Sequence, residues 1–231
     1  MISLLKEVLR LNKRFVSEHY AAAKLKENTV KKIDAITAQR NEINLEIGAG
    51  EKKGKNGWIT LDMYAGCDIQ WDLINGIPFP DNSISKIYSS HLFEHLTFKE
   101  TAGLMKECLR VLKPEGQFLI CVPNSRLYIE AYMKNDTDFR KEHPFFQPAW
   151  NNTTKMDLIN YIAYMDGHHK YMFDEENLLA VLEKNGFRNA KFRNFDPEID
   201  LLSRDHESLY AEGVKYILLY EGDVTSSLVE K

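Results

Sequence analysis

The chain has 231 residues, 44% of them hydrophobic, with a net charge of −4. That length supports a real core in one main domain with an appendage. Charge is uneven: residues 1–40 carry nine Lys/Arg against four Asp/Glu, and the remainder 21 against 30. An acidic body argues against nucleic acid as a partner. Cys67, Cys108 and Cys121 form no C-x-x-C pair, which fits a reducing, cytoplasmic setting and offers no metal framework. No apolar run reaches membrane-spanning length, and residues 1–25 lack a signal peptide's uninterrupted apolar stretch.

Leu5, Val8, Leu9, Phe15 and Val16 recur at roughly helical spacing among lysines and arginines, predicting an amphipathic helix over residues 2–26. Asn28 and Thr29 suggest a break and a new N-cap, with a shorter helix to Ala38. Residues 1–40 are expected as a helical extension that packs on the main domain or a homodimer partner, or else lies at a membrane surface.

From residue 42 the pattern is that of a Rossmann-like α/β domain: a seven-stranded, mostly parallel sheet with helices on both faces. Predicted strands are 43–47, 58–61, 67–71, 86–90, 117–122, 187–193 and 213–220. Thr97 and Glu100 form a capping box opening a helix whose apolar face is Leu104, Met105, Cys108, Leu109 and Leu112, and Lys113–Gly116 ends it. Asp174 caps the last helix, and Gly186 closes it. The domain is expected over 41–231. Residues 123–173 form an insert with ten aromatics in 51 positions, read as a substrate lid or as a small aromatic subcore.

The stretch Asn44–Met63 poses the functional question: a nucleotide-cradling loop, or a tight turn at Lys55-Asn56-Gly57. Gly48 and Gly50 after a first strand allow close backbone approach, and Asp62 ending the second can accept ribose hydroxyls. A nicotinamide-type fingerprint is not met, because Lys53 stands at the third glycine's place. Asp72, past the third strand, is placed to accept from an adenine amino group, with the Leu73 amide near a ring nitrogen.

Together, Glu46-Ile47-Gly48-Ala49-Gly50, Asp62, Asp72-Leu73, Pro78–Ser83, His91-Leu92-Phe93-Glu94-His95-Leu96 and Leu109–Gly116 resemble a class I S-adenosylmethionine-dependent methyltransferase of the type 11 kind, over roughly residues 42–221. Gly57–Asp62 and Gly167-His168-His169-Lys170 are similar to small methyltransferases associated with bacterial surface polysaccharide synthesis. The resemblance implies S-adenosylmethionine as cofactor, S-adenosylhomocysteine as product, and a small-molecule or saccharide acceptor. It also implies that Gly48 and Gly50 touch the methionine moiety and Glu46 braces the loop. Asp62, with Met63 beside it, would hold the ribose; Asp72 and Leu73 would read the adenine. His91 would line the methionine and substrate side; His91, His95, His168 and His169 are the candidate catalytic bases, with His169 favoured because the resemblance places it close to the lid. Tyr128, Tyr132, Phe145, Phe146 and Trp150 would stack on a substrate or merely pack.

Two features depart from that family. Only seven residues separate Gly50 from Trp58, too few for a normal crossover helix, so Lys52, Lys53 or Lys55 is left to supply positive charge. Ser85 stands where an aspartate usually opens the fourth strand. Two other functions compete: a cofactor-binding protein without transferase activity, and a zinc hydrolase. The second arises because His91–His95 matches H-x-x-E-H, which needs both histidines on one continuous helix. The strand reading of 86–90 opposes that, and no metal is expected.

Overall fold

The structure, a computed structural model, describes residue 20 and residues 23–136, 138–142 and 145–216. The apolar positions expected to form the first helical face, Leu5 to Val16, lie outside the described residues.

Helix α1 runs unbroken through residues 23–39, with no break at Asn28-Thr29. Thr29 does not cap. It is buried, and its hydroxyl donates to the Gln70 carbonyl at the sheet edge. Ile33 enters the main core, and the Arg40 guanidinium donates to the Gly57 carbonyl. This part of the expected extension therefore packs on the main domain.

Among the described residues the sheet has seven strands: β1 (Asn44–Ile47), β2 (Trp58–Asp62), β3 (Ile69–Gln70), β4 (Ile84–Ser90), β5 (Leu112–Pro123), β6 (Phe187–Phe192) and β7 (Ser208–Lys215). Their spatial order is β3-β2-β1-β4-β5-β7-β6. β1 to β5 pair in parallel, and β7 runs antiparallel to both β5 and β6. The helices after α1 are α2 (Phe98–Val111), α3 (Ser125–Lys134), α4 (Phe139–Glu142), α5 (Met156–Tyr164) and α6 (Glu175–Lys184). This is the Rossmann-like arrangement the strand pattern predicts. Its order reverses at β1 and β4, the switch point where such sheets bind ligands.

Three boundaries differ from expectation. β3 shrinks to two residues, because Asp68 leaves the ladder to bond the crossover loop. β5 begins at Leu112 directly after α2, with Glu115 in a left-handed conformation (φ 60°) and a register shift opposite Ile84 to Lys86. β7 starts at Ser208, five residues before the expected start, because Leu209, Tyr210 and Ala211 are the buried partners of Val122, Cys121 and Ile120. Residues 217–220 of the expected last strand lie outside the described residues.

Strand alternation sends Ile87, Phe118 and Ile120 into the main core and Tyr88, Leu119 and Cys121 to the opposite face. Over that face residues 193–200 are held by a buried bidentate pair, Arg193 to Asp200 at 2.5 and 2.7 Å. The Tyr88 hydroxyl donates to the same carboxylate at 2.8 Å. The capping box at Thr97 and Glu100 and the Asp174 cap of α6 form as predicted.

Candidate active site

The crossover from β1 to β2 contains no helix. A set of side-chain bonds holds it instead. Asp68 Oδ2 accepts from the Gly54 amide (2.8 Å), the Thr60 amide (3.1 Å) and the Thr60 hydroxyl (3.0 Å). Burial alone would raise the Asp68 pKa, but these hydrogen bonds outweigh it and hold the carboxylate below its ordinary value. Gly54 is obligatory, since a Cβ would stand 1.9 Å from the Trp58 carbonyl oxygen. Asn56 (φ 52°) and Gly57 (φ 85°) form the tight return, and the Trp58 amide donates to the Lys55 carbonyl. Because β1 and β2 are parallel, that turn belongs to a crossover and not to a hairpin.

Two lysines of this loop, Lys52 and Lys53, are committed elsewhere. Lys52 pairs with the buried Glu46 at 2.5 Å, and Lys53 donates to the Cys67 carbonyl. Burial raises the Glu46 pKa, and Lys52 opposes that shift. Glu46 thus braces the loop by anchoring its lysine.

Gly48 (φ 69°) and Gly50 (φ 66°) both occupy the left-handed region. The Gly48 amide donates to the Leu61 carbonyl (3.0 Å) and the Gly50 amide to Asp62 Oδ2 (2.9 Å). The turn therefore presents its carbonyls and bare Cα surface, since both glycine amides are engaged. A Cβ on Gly48 would come within 2.8 Å of Leu92, whereas the space beside Gly50 is open.

Asp62 and Met63 at the end of β2, and Asp72 and Leu73 just past β3, line one mostly apolar cavity of about 490 Å³ with Ile74, Leu92 and Leu96. Asp72 also caps a short 3₁₀ turn, its Oδ1 accepting from the Ile74 amide. Four predicted cofactor residues are thus brought together. Glu46, Gly48 and Gly50 do not line the cavity, though Gly50 is bonded to Asp62 and a side chain on Gly48 would meet Leu92. Glu107 on α2 also lines the cavity. It accepts from the Ile77 amide and two Arg110 nitrogens, which fixes the Gly76–Asp81 loop.

His91 and His169 lie in a second cavity of about 360 Å³, with Glu94, His95, Tyr128, Phe146, Arg204 and Glu207 among its lining. The two cavities share one wall: in residues 91–96, Leu92 and Leu96 face the first, while His91, Glu94 and His95 face the second. His91 closes β4 with φ 51°, and Phe93–His95 is one 3₁₀ turn. The H-x-x-E-H stretch is therefore not a helix, and the metallopeptidase geometry is absent.

His91 Nε2 lies 2.9 Å from Ser208 Oγ, which itself donates to the Arg204 carbonyl. The serine proton is spent, so His91 donates through Nε2 and keeps a lone pair on Nδ1. Burial, with Arg204 nearby, drops the His91 pKa to about 3. Burial also pushes Glu94 up to about 8. His169 is buried, with Nδ1 2.9 Å from the Ile162 carbonyl, and burial lowers its pKa too.

The insert aromatics divide. Tyr128, Phe145 and Tyr161 are buried in a core of their own, and Trp150 stacks on Phe145 at 3.8 Å. Tyr132 holds Lys155 over its ring, and Phe146 is half exposed at the second cavity. The subcore reading thus accounts for most of them. Residues 202–207, which supply Arg204 and Glu207, escaped the sequence reading; their only signal is a run of charge, Arg204-Asp205-His206-Glu207.

Residues 20–120 match a family model described as a methyltransferase domain. A 61-residue stretch, 26% of the chain, is 36% identical to a probable S-adenosylmethionine-dependent methyltransferase of Mycolicibacterium smegmatis. The chain spans only 23% of that relative's length. A SAM-dependent methyltransferase from Archaeoglobus fulgidus is 18% identical, with a TM-score of 0.46 over 83% of this chain and 94% of that one. The Haemonchus contortus phosphoethanolamine N-methyltransferase 2 is 13% identical, with a TM-score of 0.44 over 82% of this chain and 53% of that one. Residues 20–120 are thus similar to a methyltransferase domain.

Proposed function

We propose that the protein is an S-adenosylmethionine-dependent methyltransferase acting on a small polar molecule or a saccharide. The observation that carries this reading is the convergence of Asp62 and Asp72 on one apolar cavity beside the Gly48–Gly50 turn. Asp62 Oδ1 and Oδ2 each accept one backbone amide, from Tyr64 and Gly50, and a carboxylate retains further lone pairs for ribose hydroxyls. Asp72 stands at the adenine end, and apolar Leu73, Ile74 and Leu96 supply the flat walls a purine needs.

The second cavity is the acceptor site in this reading, and the insert 123–173 is its lid. Its lining of His91, His169, Arg204 and Glu207 suits a hydroxylated acceptor better than an apolar one. Methyl transfer from a sulfonium is an in-line displacement, so these residues chiefly position the acceptor oxygen and receive its proton. His91, kept neutral by burial and oriented by Ser208, helps position the acceptor in this cavity. A role in surface polysaccharide synthesis belongs to the same proposal and rests on the sequence resemblance alone.

Calorimetry with S-adenosylhomocysteine is the direct test. Asp62→Ala should weaken binding by about tenfold or more, roughly 1.4 kcal/mol, with circular dichroism unchanged. Affinity equal to the parent's would overturn the donor site. Tight binding with no turnover on any hydroxylated acceptor would instead favour a cofactor-binding protein.

A further inference from the structure

We propose that Glu94, His95 and His169 form a binding site for one divalent transition-metal ion, of which zinc is the representative. One ligand atom from each lies within 4.8 Å of the others. Small side-chain rotations would bring such a set onto bonds of ~2.0–2.2 Å.

The orientation of each group is fixed from outside the cluster. His95 Nδ1 lies 2.9 Å from the His168 carbonyl, and His169 Nδ1 lies 2.9 Å from the Ile162 carbonyl. A carbonyl only accepts, so both imidazoles carry their proton on Nδ1 and expose an Nε2 lone pair. Metal-ligating histidines are held in this way, the second nitrogen donating to a backbone carbonyl. The backbone sets the spacing: the Lys170 and Tyr171 amides both donate to the Glu94 carbonyl, clamping residues 168–171 onto residues 93–95. The two imidazoles meet edge to face, with centroids 5.1 Å apart.

An independent observation points to a missing partner. Glu94 is 2% exposed, and its Oε2 has no hydrogen-bond partner among the described residues. Its Oε1 lies 3.5 Å from His91 Nδ1 and 3.8 Å from His95 Nε2. The preceding tautomers leave both those nitrogens with lone pairs turned to the carboxyl group, and neither supplies Oε2 with a donor. A buried polar atom without a partner is costly, and a cation in the centre satisfies the carboxylate and both Nε2 lone pairs together.

Two imidazoles and a carboxylate suit zinc, iron, nickel or manganese and disfavour magnesium and calcium, which prefer all-oxygen shells. Three protein ligands leave at least one coordination position open, and all three residues line the second cavity. This differs from the metallopeptidase motif: His169 replaces His91 as the second imidazole, and no helix is involved.

The test uses the full chain, stripped with chelator and then titrated with zinc alone, and in parallel with cobalt as a visible-absorption probe. Expected are stoichiometric zinc after desalting and a cobalt d–d band that zinc abolishes. His169→Ala and Glu94→Gln should lose both signals, while His168→Ala, which keeps its backbone carbonyl, should retain them. S-adenosylhomocysteine binding, measured on every variant, reports folding and separates this proposal from the methyltransferase reading. Substoichiometric zinc in the parent, or zinc retained by a folded His169→Ala, would overturn the site.

Discussion

Gly48 shows how narrow the tolerances at the cleft are. Its φ of 69° disfavours any side chain, and an added methyl group would meet Leu92 at 2.8 Å. Leu92 separates the two cavities, so strain there is felt on both sides. Gly48→Ala should lower stability by about 1–3 kcal/mol, as overpacking does, and weaken S-adenosylhomocysteine binding; urea denaturation and calorimetry measure the two effects. Gly50 is constrained by its φ alone, since the space beside it is open. In the sequence both glycines have the same standing. Their different reasons emerge only when Leu92, distant along the chain, comes to rest against one of them.

At the scale of elements, the β1–β2 crossover depends on a carboxylate where related folds use a helix. Asp68 has its pKa depressed, so its contribution to stability is fully present above its ordinary value of 3.8 and fades as pH falls through the lower folded value. Asp68→Asn should therefore destabilise at neutral pH, and the gap from the parent should close in strongly acidic buffer. Melting temperatures across an acid series would show this convergence. A gap that stayed constant down to the acid limit would mean that shape, not charge, holds the loop. The short spacing from Gly50 to Trp58 announced that a helix was missing. That Asp68 does the bridging was not legible, because its partners Gly54 and Thr60 are brought to it by the parallel pairing of β2 with β3.

Across the whole molecule, the sheet's second face is closed by the Arg193–Asp200 pair and Tyr88. Both charged side chains are largely or wholly buried. Asp200→Ala would strand a buried guanidinium and should cost about 3–5 kcal/mol, read as a lowered denaturation midpoint. Replacement of both partners by apolar residues should recover much of that loss, since an isolated buried charge, not the missing attraction, carries the penalty. The seven mostly parallel strands, the capping box at Thr97, the Asp174 cap and the grouping of Asp62, Met63, Asp72 and Leu73 followed from sequence, because they rest on local chemistry: alternation, caps, and carboxylates at strand ends. The sequence by itself thus determined the Rossmann-like sheet and the carboxylates that end its strands at one cavity. Only tertiary structure decided what Lys52 and Lys53 face, that the insert aromatics largely fill a core of their own, and that His169 reaches Glu94 and His95. Each of these joins residues through contacts between separate segments, and no local periodicity records which distant side chains a closed sheet brings together.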